Sequence, residues 1–257
     1  MFDFLKSNKY GLALGAGGAK GIVYIGVLKA LEDLNINISH ISGSSVGSLV
    51  GGMYALWGDS KKVQDTVLEY DKEKLIKMFR SDVGLSNGIF KGDSFIEELD
   101  NIFGNNKISD CKIPFIAVSV DILSGEKIYH NDGFLRDGIR ASCSIPFVFK
   151  PYDLNGRYLV DGGLAENVPV EAIKSIGAKK VIGVDTQGFP DLKEKMNLKN
   201  LGSRIYRASM VLTAQRDMKL VDKRIHFELD DLSLEELLDN AKEYINLGYE
   251  ETIKVLS

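Results

Sequence analysis

Apolar positions along the first part of the chain follow two alternating rhythms. Tyr10-Gly11-Leu12-Ala13-Leu14 is a short continuous apolar run of the length a buried parallel strand needs. After a glycine-rich turn, Ile22, Ile25, Leu28, Leu31 and Leu34 recur every three residues, which predicts a helix with one apolar face. Gly26 and Ala30 keep that face small, as close packing on a sheet would require, and Asn35-Ile36-Asn37 ends it. Residues 38–41 read as the next strand, followed by a turn around Ser45. A helix then runs through Leu49, Val50, Met53 and Leu56 to about Trp57. Two successive strand-turn-helix units imply parallel strands joined by right-handed crossovers.

Between residues 58 and 110 the rhythm changes. Residues 61–70 and 72–79 read as helical, and a loop follows with Val83, Leu85, Ile89 and Phe90. Ser94 and Glu97 make a capping-box pattern that predicts a further helix. With no strand signal, the section reads as a helical insertion over the sheet. Its apolar residues fit either packing on the core or a lid over an acyl substrate.

Residues 114–123 carry the strongest strand pattern in the chain. Ser124-Gly125 then predicts a turn, and residues 126–130 a strand pairing back. Residues 134–142 read as a helix that stops ahead of Ile145-Pro146, because the residue before proline disfavours the helical region. Asn155-Gly156 is a hairpin turn, from which residues 157–160 lead into Asp161-Gly162-Gly163. Residues 170–176 read as a helix with Gly177 as its stop, and residues 180–185 as a buried strand. A helix over 204–220, a strand over 224–229 and a helix capped by Ser233 and Glu236 complete the chain. No repeat or low-complexity linker divides it. The expectation is one α/β domain over 1–257, with a core at about 10–187, a helical insertion at about 58–110 and an extension at about 188–257.

Composition narrows the function. The 257 residues are 44% hydrophobic and 26% charged, ordinary for a globular protein. A net charge of −4 gives no support for nucleic-acid binding. The charge is uneven: residues 188–224 hold nine Lys/Arg against four Asp/Glu, and residues 225–257 hold two against nine. That split fits a basic face toward anionic lipid, and equally a solvated helix surface. Cys111 and Cys143 form no metal-ligand spacing and read as free thiols of a reducing compartment. The first ten residues lack the pattern of a signal peptide, and no run approaches the ~18 apolar residues of a membrane span. A cytoplasmic protein is expected, with any membrane contact peripheral, and with no metal or cofactor.

The candidate chemistry centres on Gly43-Ser44-Ser45-Val46-Gly47. It matches G-x-S-x-G, a sharp strand-to-helix turn with a serine at its apex. The alternative is a capped Gly/Ser loop. A second glycine cluster, Gly15-Ala16-Gly17-Gly18-Ala19-Lys20-Gly21, fits neither nucleotide motif. No hydroxyl follows a Gly-Lys pair as a P-loop needs, and no acidic residue stands about 20 positions on as a dinucleotide site needs. What is left for clustered amides at a helix start is to hold an anion, such as a transient oxyanion.

A serine nucleophile needs a proton acceptor. The histidines are His40, His130 and His226. The order Ser45, Asp161, His226 matches that of an α/β-hydrolase triad. Yet only two strands precede the serine here, and His226 alternates with Ile225 and Phe227 inside a strand. Asp161 is the better candidate for the base, although Asp-Gly-Gly can also be a plain turn.

Taken together, Gly17-Gly18-Ala19-Lys20-Gly21, Gly43-Ser44-Ser45-Val46-Gly47 and Asp161-Gly162-Gly163 resemble the patatin-like phospholipases. The likeness extends over about residues 10–185 and includes Ala141-Ser142-Cys143-Ser144-Ile145-Pro146 and Asn167-Val168-Pro169. The resemblance implies a three-layer α/β sandwich with a mainly parallel central sheet flanked by helices and a helical lid-like insertion. It implies a Ser45-Asp161 dyad that cleaves fatty-acyl esters, with the amides of Gly17 and Gly18, and Ala19 as a further donor, forming the oxyanion hole. Gly15, Ala16, Lys20, Gly21, Gly43, Gly47, Gly162 and Gly163 complete the motifs. Ala16 stands where the family loop often has glycine; it keeps the amide and adds a methyl. Lys20 fits a structural role or attraction of an anionic headgroup. The implied substrate is a phospholipid, lysophospholipid or simple carboxylic ester. A non-catalytic lipid-binding module and an acyltransferase are the alternatives on the same fold.

Overall fold

The structure, a computed structural model, describes residues 9–70, 90–188, 198–229, 236 and 239–257. The helix expected over 72–79, the loop residues Val83, Leu85 and Ile89, and Ser233 lie outside them. The strands are β1 (Lys9–Leu14), β2 (Asn37–Ser44), β3 (Phe115–Asp121), β4 (Lys127–His130), β5 (Tyr152–Leu154), β6 (Arg157–Asp161), β7 (Val181–Asp185) and β8 (Lys223–His226). They form one sheet in the order β5-β6-β3-β2-β1-β7-β8, with β4 also paired to β3. Its centre is parallel, from β3 through β2, β1 and β7 to β8; β4, β5 and β6 are antiparallel additions.

Alternation along the central strands divides the core in two. Leu12 and Leu14, Phe115 and Ala117, and Ile182 and Val184 point to one face. There they join the helices α1 (Val23–Asp33), α2 (Val46–Trp57), α3 (Ser60–Leu68) and α4 (Asp93–Phe103). The intervening Ala13, Ile116, Val118 and Val181 point to the other face. Helix α5 (Leu135–Ser142) lies between α2 and the β3–β6 region, and α6 (Val170–Ser175) covers the second face. Strands covered on both sides read as unbroken apolar runs, which is why β1, β3 and β7 are plain in the sequence.

Beyond residue 188 come α7 (Leu198–Asp217), β8 and α8 (Ala241–Leu256). β8 extends the sheet at β7, and α8 packs along α1. The small face expected to lie on the sheet at Gly26 lies against α8 instead. A β-carbon at Gly26 would stand 1.9 Å from the Ile245 carbonyl oxygen, and one at Gly248 2.0 Å from that of Val23, so the two helix backbones touch. The capping box expected at Ser94 does not start α4: the helix begins at Asp93, and Gly92, in the left-handed region at φ 87°, is its cap.

One detail of the sheet positions the site. Ala117 pairs with both Gly43 of β2 and His130 of β4; Ser119 pairs with both Asp161 of β6 and Ile128 of β4. A strand has two edges, so β2 and β6 share one of them, arriving from opposite directions. β2 leaves at Ser44 opposite Val118, and β6 ends at Asp161 opposite Ser119.

Candidate active site

Ser45 sits in the turn between β2 and α2 at φ 53°, ψ −128°. A non-glycine residue there carries strain of about 1–3 kcal/mol and persists only when its surroundings hold it. Its carbonyl oxygen accepts from the amide of Ser48 at 2.8 Å, that of Leu49 at 3.2 Å and the Ser48 hydroxyl at 2.6 Å. Its own amide donates to Ser142 Oγ at 2.9 Å. The flanking glycines are required by contact. A β-carbon at Gly43 would stand 2.4 Å from the Gly47 carbonyl group, and one at Gly47 2.2 Å from the Leu14 oxygen.

Asp161 ends β6 fully buried. Its amide donates to the Ser144 carbonyl at 3.0 Å, and its Oδ1 accepts from the Gly163 amide at 2.8 Å. Gly162 lies against the backbone of Val118. Burial pushes the carboxyl up to about 6; the Ser45 hydroxyl, the Gly163 amide and the Tyr206 hydroxyl pull the other way by favouring the charged form. Among the described residues Oδ2 has no closed hydrogen bond.

The C-terminal end of α5 braces both residues, Ser142 holding the Ser45 amide and Ser144 that of Asp161. Behind it Arg140, 2% exposed, donates to Ser144 Oγ at 2.7 Å and to the Lys91 carbonyl at 3.1 Å. Its guanidinium lies 5.0 Å from the Phe149 ring centre and 5.3 Å from that of Tyr152, a cation–π arrangement.

The glycine cluster leads through a 3-10 turn over Gly18–Ile22 into α1. The Gly15 amide donates to Val184 at 3.0 Å, and that of Ala16 to Asn167 at 3.2 Å. The next bonded amide is that of Lys20, to Gly17 at 3.3 Å. The amides of Gly17, Gly18 and Ala19 thus carry no hydrogen bond to the described residues, as at a helix start. Ala16 lies outside the left-handed region, so its methyl costs the loop nothing; its carbonyl accepts from Gln187 Nε2. Lys20 is buried and donates from Nζ to the Leu229 carbonyl at 2.9 Å, and Gly21 packs on Val46.

Two cavities meet at Gly18. One, of about 360 Å³, is lined by Ser45, Ala16, Gly17, Gly18 and Lys20, and on its far wall by Arg204, Tyr206, Arg207 and Met210 of α7. The other, of about 170 Å³, lies between α1, α2, α3 and α4. Ala19, Ile25, Val46, Leu49, Met53, Leu99 and Ile102 give it an apolar wall.

None of the three histidines lines the cavity that holds Ser45. His40 pairs with Ser39 Oγ at 2.9 Å; His130 pairs with Ser119 Oγ at 2.7 Å, and burial lowers it to about 4. His226 lies 3.2 Å from Asp185. Among the described residues no His/Cys/Asp/Glu cluster could hold a metal ion, and no helix is long and apolar enough to cross a membrane. Sequence reading identified Ser45, Asp161 and the glycine turn, which the structure brings to one place. It missed the roles of Ser142, Arg140 and Tyr206. The segment holding Ser142 carries a sequence signal, but nothing local marks Tyr206.

Comparison with known proteins points to one family. The family model for patatin-like phospholipase matches residues 12–174. An uncharacterized NTE family protein of Mycobacterium bovis is 32% identical over 182 residues, 71% of this chain and 50% of that protein. Lysophospholipase NTE1 of Yarrowia lipolytica is 33% identical over 194 residues, 73% of this chain and 13% of that protein. The chain thus spans half the length of the first relative and a small part of the second. Among solved structures, VipD from Legionella pneumophila shares the fold, with a TM-score of 0.58 at 15% identity over 96% of this chain and 66% of that one.

Proposed function

The chain belongs to the patatin-like phospholipase family, and from that premise we propose that it is a serine hydrolase of fatty-acyl esters working through a Ser45-Asp161 dyad. The observation that carries the reading is a strained serine at one cavity wall beside backbone amides that bond to none of the described residues, with a fully buried carboxylate next to the serine hydroxyl.

In the first step Ser45 Oγ attacks the ester carbonyl as its proton passes to Asp161. The carbonyl oxygen becomes an oxyanion resting on the amides of Gly17 and Gly18, with Ala19 at the rim. Aligned donors of this kind are worth on the order of 10²–10³ in rate each. The C–O bond to the leaving group then breaks, and the Asp161 proton goes to the departing alkoxide. Water then enters and gives a proton to Asp161 as its oxygen adds to the acyl carbon; the bond to Ser45 Oγ breaks, Oγ takes that proton from Asp161, and the fatty acid leaves. The apolar cavity between α1 and α4 supports an acyl chain on one side of Gly18. Arg204 and Arg207 on the other side favour a phosphate-bearing leaving group over a neutral one.

Labelling with a fluorophosphonate probe, together with hydrolysis of nitrophenyl esters and lysophospholipids, tests the assignment. Ser45→Ala should lose both labelling and turnover. Full hydrolysis by that variant would overturn it.

A further inference from the structure

We propose that Tyr206 is a positioning residue of the dyad: its hydroxyl donates to Oδ2 of Asp161 and holds the carboxylate toward Ser45 in its proton-accepting form. This rests on the dyad reading above and adds a residue beyond the segment that the family model matches, 12–174.

The geometry comes from α7. Thr213 Oγ1 donates to the Gly163 carbonyl at 3.0 Å, and Ser209 Oγ to that of Leu164 at 3.2 Å. A β-carbon at Gly163 would stand 3.1 Å from Met210 Sδ. The helix is therefore docked directly on the turn that follows Asp161. Tyr206, one turn before Met210, is 9% exposed and shares the cavity of Ser45. In that setting its hydroxyl favours the charged form of the Asp161 carboxyl, while the carboxylate opposes ionisation of the phenol. The phenol thus stays protonated and can only donate to the carboxylate. Oδ1 is already taken by the Gly163 amide, whereas among the described residues no hydrogen bond closes on the buried Oδ2. A buried carboxylate oxygen left without a donor is costly, and the Tyr206 and Ser45 hydroxyls, both acting on this carboxylate, are the donors placed to turn onto it.

The other titratable groups around Asp161 do not compete in the range where it ionises. The Cys143 thiol on the α5 side is pushed up to about 12, and His130, which reaches Ser119 from β4, is neutral above about 4. The cations near the site are Arg140, on Ser144, and Lys20, Arg204 and Arg207, which line the cavity of Ser45.

The test is Tyr206→Phe in the full chain, assayed on a short nitrophenyl ester across pH 4.5–9. Losing a donor to the charged form raises the pKa of the carboxyl, so the acid limb of kcat/KM should move to higher pH, by about half a unit or more. At pH 8 kcat should fall about ten-fold with KM within two-fold, and fluorophosphonate labelling should slow in parallel. An unmoved acid limb with unchanged kcat would overturn the assignment. So would a rise in KM with the limb unmoved, which would make Tyr206 a substrate contact. A thermal melt checks that the variant is folded. Ser45→Ala separates the two levels: if that variant keeps its activity the dyad itself is wrong, and Tyr206 loses its role with it.

Discussion

The two sides of Gly18 offer a substrate opposite environments. Toward α1, α2 and α4 the wall is hydrocarbon: Ile25, Val46, Leu49, Met53, Leu99 and Ile102. Toward α7 it carries a phenol and two guanidinium groups, with Ser45 at its edge. An acyl ester has the same asymmetry, an apolar acid and a polar alcohol joined at one carbonyl. The turn between the cavities is where unbonded amides lie. The difference shows how one glycine turn can orient a substrate by sorting its ends.

Variants can break that division or sharpen it. Asp161→Asn should have the largest effect, about 10³-fold or more on kcat, equal for acetyl and long-chain esters because it strikes neither cavity. Its stability should move the other way. The carboxyl titrates at about 6 in the fold against about 4 unfolded, so the native state loses stability as pH rises through that window. Asparagine removes the loss, and chemical denaturation at pH 8 should find the variant more stable, by up to about 3 kcal/mol. Next in size is the wild-type acid limb. Between pH 6 and 5, kcat/KM should fall towards ten-fold for every ester length, since one ionised base serves both. Ile102→Trp fills the apolar cavity and should lower kcat/KM for decanoyl esters about ten-fold while leaving acetyl esters within two-fold. The smallest effect belongs to Arg207→Gln. It should cost several-fold on a lysophospholipid relative to a neutral ester, read as a ratio of kcat/KM values. Equal losses on both substrates would mean that the cavities do not divide the substrate as drawn.

What the sequence reveals follows from the range of each interaction. The strand-turn-helix units at the start, the Ser45 turn and the hairpin at Asn155-Gly156 depend on residues within a few positions of one another, and all are legible. The pairing of the hairpin's second strand with the edge that β2 vacates is not. It is a register between segments about 40 residues apart, Ser119 opposite Asp161. Gly26 was legible as a close-packing position but not for its partner, since a small residue states that something approaches and not what. Ser94 had the right spacing for a cap, yet Gly92 took that place because only glycine is at ease at the φ the chain adopts beside Arg140. Tyr206 has the surroundings of any apolar helix position and acquires its role only when α7 docks on Asp161.

The shared edge of β3 makes the active site a matter of alignment. Side chains alternate between faces along a strand, so sliding β6 by one residue against β3 would turn the Asp161 carboxylate to the opposite side of the sheet with every backbone bond still available to form. The two-residue turn at Asn155 and Gly156, with φ of 55° and 79°, fixes β6 against β5 only, so the position of Asp161 rests on the pairing of β6 with β3 itself. A one-residue slip of that pairing would leave a folded protein whose Asp161 carboxylate faces the wrong layer. In this chain one edge of β3 acts as the ruler along which Ser45 and Asp161 are set.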